Sequence, residues 1–238
     1  MNTPQIPSVY NAPSADVQEE IQRGFITRVY GWMTLGLIVT AAAAFLTFTN
    51  EMIFNAILSN RLIFYGLLGG ELLLVLVLSA TVNRLAAPVA GLLFALYAAL
   101  NGVTFSVLTL VYTGDSILIT FGVTACTFGI MTLFGFTTQR DLTKMGSLAI
   151  MALIGVLLAS VVNIFLNNPA IYWIVTYVGI LVFIGLIAYD TQKLKRMSLT
   201  LGEDGQVAQK ASIMGALTLY LDFINLFLML LRVLGRRR

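Results

Sequence analysis

Three carboxylates stand within or at the edge of stretches that are otherwise apolar: Glu71, Asp190 and Asp222. In a low-dielectric interior a carboxyl group can do two things its neighbours cannot, which are to hold and release a proton and to offer hard oxygen ligands to a cation. At the centre of a membrane span an acid costs at least about 2.5 kcal/mol, so each should face other protein groups and not lipid. Asp222 lies in the middle of Ser212–Arg232, a stretch long enough to cross a bilayer. On a helix, Gly215, Thr218, Asp222, Asn225, Met229 and Arg232 follow steps of three and four, which makes one stripe of small and polar residues with Thr218 and Asn225 on either side of the acid. The remaining faces are Leu, Ile, Phe and Met. Such a helix suits the centre of a bundle, where several neighbours can meet its polar seam.

Asp190 ends the preceding apolar segment, and a short polar run from Thr191 to Lys210 connects the two, which predicts antiparallel neighbours. If the helix continues past Asp190 towards Lys193, the two aspartates meet. Two carboxylates in one such site cannot both ionise cheaply, so a pair shares a proton near neutral pH and senses protons. The competing reading makes Asp190 a solvated helix-end acid paired with Lys193 or with Arg84. Glu71 follows Gly69-Gly70 near the middle of its segment, where it either binds a cation or is held protonated by apolar surroundings.

The elements that must position these acids are membrane spans. Of 238 residues, 58% are apolar and 11% charged, with mean hydropathy +0.90, far from soluble domains where roughly a quarter of residues carry charge. Seven apolar segments follow in order, Phe25–Phe48, Leu62–Val82, Ala86–Tyr112, Ile117–Thr137, Ser147–Phe165, Ala170–Tyr189 and Ser212–Leu234. This predicts an all-α membrane protein, a seven-helix bundle over residues 25–235 with the last helix central, a disordered tail over residues 1–24 and a basic tail at 236–238. The tail carries Pro4, Pro7, Pro13 and several acids, with no basic start and no apolar core of a signal peptide.

Arg23, Arg28, Arg84, Arg140, Lys144, Lys193, Lys195, Arg196 and Lys210 all fall on one face, against Arg61 in the opposite loops, which predicts a cytoplasmic N-terminus. Arg236, Arg237 and Arg238 run against this, because seven full spans place them outside. The net charge of +3 is dispersed over loops and the C-terminus, a topology pattern and not a nucleic-acid surface. There is no histidine, and the single cysteine, Cys126, reads as buried packing in an apolar segment. Zinc and haem ligand sets, disulfides within the chain and Ser-His or Cys-His catalytic pairs are therefore out of reach, which argues against an enzyme and against a resident cofactor. Ala41–Ala44, and Ala152, Gly155 and Ala159 at helical spacing, offer close-packing surfaces between helices. Trp173, Tyr172 and Tyr112 stand where interfacial aromatics are expected.

Leu219-Tyr-Leu-Asp-Phe-Ile-Asn-Leu-Phe227, followed by Leu-Leu-Arg232 and preceded by Ala188-Tyr-Asp-Thr-Gln-Lys193, resembles the signature of the Bax inhibitor-1 family, specifically its bacterial inner-membrane members. The number, order and spacing of the hydrophobic segments after residue 24 resemble that family too. The resemblance implies that Asp190 and Asp222 form a pH-sensing dyad of a calcium leak. It implies an arginine latched to that dyad from the end of the second span, for which Arg84 is the nearest candidate, and an acid at Glu71 in the cation pathway. It also allows a non-transporting modulator or substrate of a membrane-bound protease. Intramembrane acids suit a proton-coupled transporter equally well.

Overall fold

The computed structural model describes residues 15–82, 84–200 and 205–238, and its elements are helices joined by short turns. They are α1 (Ala15–Thr49), α2 (Glu51–Ser59), α3 (Arg61–Thr81), α4 (Ala87–Phe105), α5 (Leu108–Val111), α6 (Gly114–Thr137), α7 (Thr143–Leu166), α8 (Pro169–Thr200) and α9 (Gly205–Leu234). Among the described residues, seven helical spans are long and apolar enough to cross a membrane, α4 and α5 together counting as one. The fold is all-α, as expected; the sole extended pairing among the described residues is a bridge between Tyr112 and Arg237.

The turns are built by local chemistry. The Asn50 carboxamide accepts the Ile53 N–H to start α2, and the Asn60 carboxamide accepts that of Leu62 to start α3. Asn167, in the left-handed conformation at φ 48°, ends α7, and Pro169 opens α8 at once.

Burial separates the helices sharply. On α9, Ile213, Ala216, Leu217, Leu219, Tyr220, Leu226 and Leu231 are all fully enclosed, and the helix packs against α1, α4, α6 and α8. Leu72, Leu73 and Leu76 of α3 and Leu157 and Leu158 of α7 instead face outward, as lipid-contacting residues do. A span that is apolar nearly all round is stable inside a bundle only because its polar seam has partners.

Several expectations change. The tail expected over residues 1–24 lies outside the described residues up to 14, and from Ala15 the chain is already helical. Residues 51–59 form α2, which exposes Met52, Ile53 and Leu58. The third span breaks at Ser106–Val107, where the Ser106 hydroxyl donates to the Val103 carbonyl and the Thr109 hydroxyl to that of Ser106, both at 2.7 Å. Residues 236–238 are fastened: Thr113 N–H donates to Arg236 O, Arg238 N–H to Val111 O, and Arg236 N–H to the Ser116 hydroxyl. Tyr112 is buried beside Gly235 and bridged to Arg237. Cys126 is exposed on α6. Gly155 has no neighbour within 4 Å of where a Cβ would stand, so it is not itself a packing position, while Ala152 of the same stripe packs against the core and Ala43 and Ala44 press against Gly102.

Candidate functional site

The seam of α9 faces α8 along almost its whole length. Gly215 packs against Leu194, Asp222 against Asp190, Met229 against Gly179, and Arg232 over the ring of Tyr172. This antiparallel register depends on α8 continuing to Thr200, well past the apolar segment, so that Asp190 is held within a helix. The condition for the two acids to meet is fulfilled. Their carboxyl groups act on one another, at 8% and 5% residual exposure, and the Oδ2 atom of Asp222 is buried without a hydrogen-bond partner. The cation whose charge acts on Asp190 is Lys193, one turn further along the same helix. Arg84 stands exposed in the turn after α3, and the structure does not bring it into the pair's surroundings.

Two adjoining cavities of about 400 and 420 Å³ give the pair its access, sharing Ser79, Asp190, Lys193, Met214 and Thr218 in their walls. Asp222 and Asn225 line the first of them. Thr218 and Asn225 each donate to a carbonyl of their own helix, Met214 at 3.1 Å and Leu221 at 2.8 Å, which leaves their oxygens available as acceptors. A proton or a hydrated cation reaching this cavity therefore meets carboxyl, hydroxyl and amide oxygen, the donor set hard cations prefer.

Close packing fixes where Asp190 stands. A Cβ on Gly135 of α6 would lie 2.3 Å from the Ala188 carbonyl oxygen, and one on Gly146 of α7 would lie 2.3 Å from the Tyr189 ring. Two glycines thus admit α8 between α6 and α7 at the two residues before the acid. Just beyond it, Gln192 is fully engaged: its amide donates to the Arg140 carbonyl at 2.8 Å and its carbonyl accepts the Leu142 N–H at 2.9 Å. Lys195 donates to the Phe136 carbonyl at 2.8 Å, and Arg196 pairs with Asp141 at 2.9 Å. The Thr143 hydroxyl and N–H, followed by Arg196, hold the Asp141 carboxyl down at about 2. None of this clasp was foreseen, because its contacts join residues about fifty positions apart and polar loop residues give no periodic signal.

Glu71 is in a different place. It is 9% exposed and lines neither cavity, and the Thr104 hydroxyl at the end of α4 donates to it, beside the break at Ser106. Close by, Tyr220 is enclosed between the rings of Phe94 and Tyr97, with its hydroxyl 2.7 Å from that of Thr40. This aromatic plug had no signal in the sequence, since Tyr220 is one apolar-segment aromatic among many.

Comparison with known proteins places the whole arrangement. The family model described as "Inhibitor of apoptosis-promoting Bax1" matches residues 22–238. The chain is 51% identical over 215 residues to the inner membrane protein YbhL of Escherichia coli, covering 90% of this chain and 92% of that one. It is 42% identical to an uncharacterised protein of Borreliella burgdorferi, covering 92% and 94%, and 35% identical to an uncharacterised membrane protein of Streptococcus pyogenes, covering 89% and 92%. With the family model matched over residues 22–238 and a relative half-identical over nine-tenths of both chains, the chain belongs to the Bax inhibitor-1 family.

Proposed function

We propose that this protein is a non-enzymatic, pH-gated cation leak of the bacterial inner membrane, with its N-terminus cytoplasmic and Ca²⁺ the permeating ion. The observation that carries the reading is the apposition of Asp190 and Asp222 at the wall of a cavity that Thr218 and Asn225 also line. In the closed state the pair shares one proton, and Lys193 balances the charge that remains. A second proton removes that charge and turns the charge-assisted contact between α8 and α9 into a weaker neutral one, so the helices part. A charge-assisted contact of this kind is worth about 1.5–3 kcal/mol, enough to change the closed-to-open ratio by roughly tenfold to a hundredfold. Flux should rise as the pH falls from about 8 to 6.

Purified protein reconstituted alone in liposomes with an internal Ca²⁺ indicator tests this. The expected outcome is uptake that increases on acidification; no uptake at any pH contradicts the proposal.

A further inference from the structure

At the membrane face opposite the α8–α9 connection, a cavity of about 560 Å³ opens between the end of α7, the start of α8 and the end of α9. Its polar walls are Arg232, Arg237, Asn163, Asn167, Asn168 and Tyr172, and no acidic side chain lines it. Arg232 is half-buried with its guanidinium 5.3 Å from the centre of the Tyr172 ring, and its sole side-chain hydrogen bond is a long one to the sulfur of Met229. Among the described residues neither arginine forms an ion pair. The carbonyl oxygens of Asn163 and Asn168 accept backbone N–H groups at 2.9 Å, which leaves their NH₂ groups as donors. The backbone of Arg237 is fixed by its bridge to Tyr112, so its side chain is presented from an anchored position.

Such a set, two guanidinium groups and several amides with no acceptor of opposite charge, is a receptor for an oxyanion, and guanidinium forks match phosphate geometry. We propose that this cavity is a phosphate-binding site, occupied in the membrane by the phosphodiester of an anionic phospholipid headgroup. The lipid source is favoured by position: Trp173 and Tyr177 stack on one side as an interfacial pair, and Ile164 and Phe165 are 70% and 81% exposed on the other. It also accounts for the arginines at 232 and 236–238, which stand on the face that the charge asymmetry of the other loops leaves almost free of basic residues. This site lies at the far end of α9 from the Asp190 cavities and shares no lining residue with them.

The test uses the full chain in phosphatidylcholine nanodiscs, with and without phosphatidylglycerol, and with inorganic phosphate added to the pure phosphatidylcholine discs. Thermal unfolding and native mass spectrometry of bound lipid are read for wild type, R232Q and R237Q. Phosphatidylglycerol should raise the unfolding midpoint of wild type and remain bound as a defined adduct, with affinity about tenfold lower in each variant. Protection by inorganic phosphate as well would show that the site takes free phosphate; protection by the lipid alone identifies the headgroup as the source. R237Q changes only an exposed side chain whose backbone makes the bridge, so it keeps the measurement meaningful if R232Q fails to fold. The proposal is overturned if neither probe shifts wild type, or if R237Q binds and responds as wild type does.

Discussion

The Asp190–Asp222 pair and Glu71 are the same chemistry in two mechanical settings. Asp190 is gripped on both sides, by Gly135 and Gly146 against Ala188 and Tyr189 and by Gln192 on the α6–α7 connection. Glu71 has one hydroxyl partner and belongs to α3, which packs mainly on α4 and α2, and at Gly66, Gly69 and Gly70 has nothing within 4 Å of an added Cβ. Precision in the first place suits a switch, whose response depends on the distance between two acids. Looseness in the second suits a ligand that a passing ion can borrow. Ser79 of the same α3 forms part of the wall of the Asp190 cavities, so α3 borders them without carrying either acid of the pair.

The contrast breaks most visibly at the glycines. Gly135→Ala places a methyl group against the backbone of Ala188, which cannot step aside, and should destabilise by about 3 kcal/mol or more. Gly70→Ala, next to Glu71, should be neutral or stabilising by up to about 1 kcal/mol. Thermal unfolding of both in the same detergent decides, and equal effects would remove the distinction. Gln192→Ala comes next: two buried hydrogen bonds vanish and the Arg140 carbonyl and Leu142 amide lose their partner, a loss of about 1–3 kcal/mol, with faster amide exchange at Leu142. Unaltered exchange there would mean that the clasp does not hold the connection.

Glu71→Gln sharpens the comparison from the other side. It should lower cation flux severalfold while leaving the pH dependence in place, because it removes a ligand charge on a helix apart from the pair. A changed pH profile in that variant would merge the two sites into one. Asp141→Asn should have the smallest effect. With its carboxyl depressed to about 2, Asp141 contributes its stabilisation above about pH 4 and loses it only as the pH falls through about 2, so it keeps its charge between pH 8 and 6. The flux profile of this variant should overlay that of wild type, and a shifted profile would implicate the clasp in sensing.

What the sequence disclosed follows from periodicity and cost. An acid in a span is conspicuous, so Glu71, Asp190 and Asp222 stood out, and the stripe of Thr218 and Asn225 fixed the face that meets α8. Seven spans were legible from hydropathy. Lys193, named beside Arg84 as a partner for Asp190, is the cation that acts on it, one turn further along an α8 that stays helical to Thr200 although its apolar segment ends at Tyr189. Gly155 and Gly135 look alike as letters; only the packing distinguishes the one facing outward from the one against Ala188. The strap of residues 236–238 was read as a tail because backbone pairing to Val111 and Thr113 leaves no trace in side-chain pattern.

If the Asp190–Asp222 pair sets the pH response, Ca²⁺ uptake by proteoliposomes of wild type, Asp190→Asn and Asp222→Asn across about pH 8 to 6 will show it. Uptake should rise roughly tenfold or more on acidification in wild type, with a flattened profile in each variant. Either variant retaining the wild-type profile would contradict it, leaving Asp190 and Asp222 as a structural pair and placing the gate elsewhere.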